Sequence, residues 1–170
     1  GLVGRKGKDG RAYASTHAWD RNGERFDLYT QARARADATG RQLVVIGDPA
    51  SGAYPRIFAG YSCGDVTLDL HGAPSCPVQS AADITQPGAI PSRSVVYVAC
   101  VLEYVDDIKA AWREIMRAAG SEDNVFVVRV SPWCATSRLF PGARWVLHSA
   151  PPHGTLTYSP TSRLVPGDGH

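Results

Sequence analysis

Leu43-Val44-Val45-Ile46-Gly47-Asp48-Pro49-Ala50-Ser51-Gly52 divides in the middle: four apolar residues run without alternation and then give way to turn formers. An unbroken, largely β-branched run is the pattern of a strand covered on both faces, and such strands belong to parallel sheets. Gly47, Pro49 and Gly52 end that strand and turn the chain sharply. About twenty residues on, a second short strand, Val66-Thr67-Leu68-Asp69-Leu70, carries an acid near its C-terminal end, Asp69. In nucleotide-binding α/β sheets an acid at that place accepts hydrogen bonds from ribose hydroxyls, while a glycine turn lets backbone approach the ligand.

Upstream of this stretch, residues 24–39 read as a helix with Phe26, Tyr29, Ala32 and Ala36 at helical spacing and Gly40 placed to end it. Residues 1–23 are glycine-rich, charged and without periodicity, and read as loop, with Tyr13 and Trp19 as the residues able to dock on a domain surface. Downstream, residues 54–61 read as a short helix or turn. The link after the second strand holds His71, Gly72, Pro74 and Pro77 and leaves no room for a crossover helix. A third strand at 78–82 ends at Asp83. The strongest later strand is 94–100, in which Cys100 reads as a small buried hydrophobe. Asp106 or Asp107 caps the helix that follows, which is expected to bury Ile108, Trp112, Ile115, Met116 and Ala119 and to stop at Gly120. Residues 124–130 form a fifth strand. Arg144–His148 and Gly154–Tyr158, separated by Ala150-Pro151-Pro152-His153, are so closely joined that they read as an antiparallel hairpin. The domain reading is therefore an N-terminal extension and helix over 1–40, an α/β domain over 41–158 and a tail over 159–170.

Composition narrows the function classes. A chain of 170 residues, 44% apolar and 20% charged, is an ordinary globular domain with core enough to fold without metal or disulfide help. A formal net charge of +2 gives no strong polyanion signal. Arg21, Arg25, Arg33, Arg35 and Arg41 are interleaved with Glu24, Asp27 and Asp37, the pattern of a solvated helix face rather than a nucleic-acid stripe. Cys63, Cys76, Cys100 and Cys134 show no metal-ligand spacing, so no metal site is expected. Reduced thiols and a cytoplasmic location are the default expectation, with a Cys63–Cys76 disulfide as the alternative for an exported chain. No run approaches a membrane-spanning length, and no signal-peptide pattern is present; a trimmed N-terminus stays open, since the chain begins at Gly1.

The order of strand, glycine loop, strand ending in acid, second acid, strand and Leu102-Glu103-Tyr104-Val105-Asp106-Asp107 resembles the class I S-adenosylmethionine-dependent methyltransferases. Its most specific part is the run from Ala81-Ala82-Asp83-Ile84 to Asp107, similar to that family's acid-bearing loop, proline, hydrophobic strand and Leu-Glu-His-Val-x-Asp turn. The resemblance implies a Rossmann-like α/β fold: a mostly parallel sheet, reduced helices and a C-terminal antiparallel hairpin. It also implies S-adenosylmethionine as cofactor. Gly47, Asp48 and Gly52 would then face its methionine part, and Asp69 its ribose. Asp83 and Ile84 would meet the adenine, with Cys100 and Leu102 beneath the sulfonium and adenosine. The methyl acceptor or protein partner is left open. Tyr104 and His71 are the available general-base candidates, while Trp133 and Cys134 fall where an acceptor would enter. Pro49 stands at the family's second glycine, Ser94 at its acid before the fourth strand and Tyr104 at its histidine. Those departures motivate an alternative, a catalytically degenerate fold kept as a binding or structural module. A nicotinamide-dependent oxidoreductase shares the Gly47 and Asp69 logic.

Overall fold

Each central strand serves two cores at once, because successive side chains leave a strand on opposite faces. The computed structural model describes residues 16–50, 61–99, 101–129 and 143–147. In β1 (Gln42–Ile46) Leu43 and Val45 join one cluster, and Val44 and Ile46 join the other. The same division holds in β4 (Ser94–Ala99), whose six residues are all buried, and in β5 (Val125–Arg129). This double burial is why these strands read as continuous apolar runs.

Three further strands complete a six-stranded sheet: β2 (Val66–Asp69), β3 (Gln79–Ala81) and β6 (Arg144–Leu147). Its order is β3-β2-β1-β4-β5-β6, and every neighbouring pair is parallel. The α/β class and the parallel sheet agree with the sequence reading; the antiparallel hairpin is not shown among the described residues, whose strand pairs are all parallel. β6 lies directly beside β5, with Phe126 opposite Arg144 and Arg129 opposite Leu147. The stretch from 130 to 143 is long enough to bring the chain back for a parallel strand. Residues 154–158, the expected second arm, lie outside the described residues, as do 54–60 and Cys100.

Among the described residues, one helix covers each face. α1 (Thr16–Thr39) begins well before the expected residue 24, so part of the stretch read as loop is helical. It packs across β1, β4, β5 and β6 through Leu28, Ala32 and Ala36, all fully buried. Phe26, expected on that face, is exposed, and Tyr29 is half-buried at its edge. Two alanines in the stripe let the helix lie close to the sheet. α2 (Ile108–Ala119) covers the opposite face, with Asp107 as its N-cap accepting the Ala110 N–H at 3.0 Å and Gly120 in the left-handed conformation at its end. Its buried residues are Ala111, Glu114, Ile115, Ala118 and Ala119, so the buried face is rotated from the expected one. Ile108, Trp112 and Met116 are only partly covered.

The rotation has a cause in Glu114. Its carboxylate accepts the Gly88 and Ile90 N–H groups at 3.0 and 2.7 Å and a two-pronged Arg117 guanidinium at 2.8 Å on each oxygen. Four donors make an acid tolerable in the core, and they fasten the loop before β4 to α2. Arginines of the supposed solvated face are likewise engaged. Arg33 bridges Asp37 and Asp65, Arg35 donates to Asn124, and Arg41 donates to the Ala119 carbonyl at the end of α2.

The expectation of reduced thiols is overturned for one pair: Cys63 and Cys76 form a disulfide. The segment entering β2 and the link leaving it pass side by side and bring the two Cα atoms to 5.6 Å, within bridging range. As expected, the link between β2 and β3 contains no helix. No helix among the described residues is long and apolar enough to cross a membrane.

Candidate functional site

Three parallel strands end together where β1, β2 and β3 run out, and the loops leaving a parallel sheet at its carboxyl edge must diverge from one another there. The register that sets Asp69 opposite Ala81 brings the end of β2 level with the end of β3, two residues before Asp83. A cavity of about 410 Å³ opens at this edge. Ile46 and Val101 line it, with Ala82 and Ile84 as further apolar wall. Tyr104, 75% exposed, and Leu70, 60% exposed, also border it. The volume is within the range of small-molecule sites.

Its charge is one-sided. Asp69, Asp83, Asp106 and Asp107 line the cavity, and among the described residues no lysine, arginine or histidine does. Asp69 is held by the turns around it. Its Oδ2 accepts the Asp48 N–H at 3.1 Å, its Oδ1 lies 3.5 Å from the His71 N–H, and its carbonyl accepts the Gly72 and Ala82 N–H groups. A carboxylate oxygen has two lone pairs, so a single backbone bond leaves acceptor capacity on each. Asp83 sits in a turn of its own: Oδ1 accepts the Thr85 hydroxyl at 2.6 Å and the Thr85 N–H at 3.0 Å. Those two bonds, the hydroxyl's first, hold its carboxyl below the usual carboxylate range, so it is charged at neutral pH.

The glycine turn has a different basis from the one its sequence suggests. Gly47 has φ +114°, and a Cβ there would lie 2.9 Å from the Ala99 carbonyl and 3.3 Å from a Val101 methyl. Close passage of the β4 end requires the glycine, whether or not a ligand approaches. Asp48 turns its carboxylate back to the Ala50 N–H at 2.9 Å, while its carbonyl accepts the Tyr61 hydroxyl at 3.2 Å. Neither residue lines the cavity.

Among the residues singled out from sequence, Asp69, Asp83, Ile84 and Tyr104 are thus brought together. Leu102 is buried in the core instead, and His71 is exposed outside the cavity. Gly52, Cys100, Trp133 and Cys134 lie outside the described residues. Sequence reasoning missed Asp106 and Asp107 as part of the wall, reading them as a helix cap at the end of the Leu102–Asp107 run. Among the described residues, no group of three or more His, Cys, Asp or Glu is arranged to hold a metal ion. Comparison with known protein families, with curated proteins and with solved structures gives no match.

Proposed function

We propose that the cavity binds a positively charged nucleoside, S-adenosylmethionine, and that the chain is a methyltransferase acting on an acceptor that reaches the open carboxyl edge of the sheet. The observation that carries this reading is the acid-lined wall at the ends of β2 and β3, to which no cationic side chain contributes among the described residues. Ribose hydroxyls and an adenine amino group are donors, and they need acceptors such as Asp69 and Asp83. A sulfonium and an ammonium gain from four nearby carboxylates, whereas a pyrophosphate is repelled by them. Pro49, which has no N–H to offer a phosphate, weighs the same way. The strand order β3-β2-β1-β4-β5-β6 is shared with dinucleotide-binding sheets, so wall chemistry, not topology, separates the two.

S-adenosylmethionine, when bound, supplies an activated methyl group for in-line displacement. The chain's own contribution would be positioning and exclusion of water. Asp69 would fix the ribose end, and Asp83 with the Ile84 backbone the base. The apolar wall of Ile46 and Val101 would keep the transfer region dry. Among the described residues Tyr104 is the one titratable side chain at the rim besides the carboxylates, and it would serve as base only for an acceptor that must lose a proton. A degenerate binding module is the second reading, favoured by the 75% exposure of Tyr104, which leaves its ring open to solvent rather than enclosed with an acceptor.

Calorimetric titration of the full chain with S-adenosylmethionine, S-adenosylhomocysteine and NADH tests the proposal. Micromolar binding of the first two, about −8 kcal/mol, is expected, with at least about tenfold loss in Asp69→Asn and in Asp83→Asn. Absence of heat at millimolar nucleoside, or tighter binding of NADH, would overturn it. Binding without turnover on any acceptor would favour the second reading.

A further inference from the structure

The link between β2 and β3 crosses from one parallel strand to the next without a helix to pack it down. Such a connection usually needs about a dozen residues or more. Residues 70–78 manage it with two buried side chains, Ala73 and Cys76, while Leu70 and Val78 are exposed. β3 itself is three residues long and exposed throughout. Its attachments include the ladder to β2, the Thr67 N–H to the Val78 carbonyl at 3.0 Å, the Ala82 N–H to the Asp69 carbonyl at 2.9 Å, and the Ala73 N–H to the Gln79 side-chain carbonyl at 2.8 Å within the link. The other end of the disulfide is a fixed post. The Cys63 carbonyl accepts the Tyr29 hydroxyl at 2.7 Å, which ties it to α1. Its neighbour Gly64 passes so close to β1 that a Cβ would lie 2.6 Å from the Leu43 carbonyl.

We propose that the Cys63–Cys76 disulfide is a redox-sensitive clasp for the acid-bearing wall of the cavity, and that its reduction releases the β2–β3 edge, with Asp83, from an otherwise intact sheet. Cys63 stays on its post when the bond opens, and Cys76, with the link and β3, is the part set free. The chemistry is exchange with an external dithiol. Its thiolate attacks one cysteine sulfur and its second thiol displaces that sulfur. Two electrons and two protons thereby pass to the pair, giving two thiols and a cyclic oxidised dithiol. Cys63 is the less buried residue of the pair, Cys76 being 5% exposed. The clasp does not depend on which nucleoside the cavity takes.

Amide hydrogen exchange of the full chain, followed by mass spectrometry before dithiothreitol, after it and after reoxidation, tests the proposal without any ligand. Peptides covering 66–84 are expected to exchange at least about tenfold faster on reduction, by a larger factor than those covering β1, β4 and β5, and to recover on reoxidation. A Cys63→Ala, Cys76→Ala double variant should show the reduced pattern permanently; if it does not fold, reduction of the native chain carries the same readout. Unchanged exchange over 66–84, or equal acceleration in all strands, would overturn the proposal, the latter marking a general staple.

Discussion

Glu114 shows how far a single residue's role can lie from its sequence. An acid in the middle of a helix reads as solvent face, yet it is 3% exposed and meets four N–H donors. Two of those donors belong to Gly88 and Ile90, more than twenty positions away, and no local pattern announces them. Removing the carboxylate breaks the part-buried Gly88 hydrogen bond and leaves the buried Ile90 amide unpaired, and part of the Arg117 charge with it. Glu114→Ala is therefore expected to cost about 2–4 kcal/mol, read as a fall in urea midpoint at constant slope. A change below about 0.5 kcal/mol would show that the loop before β4 is held by other contacts. Asp69 and Asp83 were legible because their place, just beyond a strand, is set by a short-range pattern. Gly47 was legible as a turn, but its reason, the Ala99 carbonyl, belongs to a strand distant in sequence.

Among the elements, the strands were the legible part, since β1, β4 and β5 are buried on both faces and their composition says so. The helices were legible in existence but not in rotation. Phe26 and Trp112 are large apolar residues that a periodicity argument places inward, and packing places Leu28 and Glu114 there instead. In α1 the fit to the sheet depends on smallness: Ala32 and Ala36 are fully buried against β-strand side chains. Ala36→Leu, although better for apolar area, is expected to push the helix off the sheet and lose about 1–3 kcal/mol. Thermal unfolding would show this as a drop of about 2–4 °C per kcal/mol. An unchanged or higher midpoint would mean that α1 has slack beneath it. The side-by-side pairing of β6 with β5 was not legible, because a strand's sequence does not say which neighbour it chooses.

For the molecule as a whole, two carboxylates hold the covering layers in place, and both are stronger acids when folded. The Arg33 hydrogen bond above all, with the Leu43 N–H, holds Asp65 below its ordinary value. Burial alone would raise Glu114, but the Arg117 guanidinium and the Ile90 and Gly88 amides outweigh it and leave the carboxyl lowered. A lowered folded pKa contributes stability above the unfolded value, about 4, and that contribution is lost as pH falls through the folded value. Stability from these groups should thus be level above about pH 5 and decline below about pH 4. Urea unfolding between pH 3 and 7 checks it: Asp65→Asn and Glu114→Gln should each flatten the acid limb. An unaltered limb in both would assign acid unfolding to other groups. The Asp65 effect should also shrink at high salt, because both partners are partly exposed.

The placement of α1 bears on how the chain is assembled in time. The helix is made early, but its partners come late: Arg35 reaches Asn124, 89 positions on, and Gln31 accepts from Arg144, 113 positions on. During synthesis its apolar stripe emerges with β1 close behind it but long before β4, β5 and β6, which also cover it, exist. Closure of the fold must wait for the C-terminal half, a non-local route that is slow by nature. The interval in which Leu28, Ala32 and Ala36 lack those three strands is the time when a newborn chain is most exposed to self-association or to a chaperone.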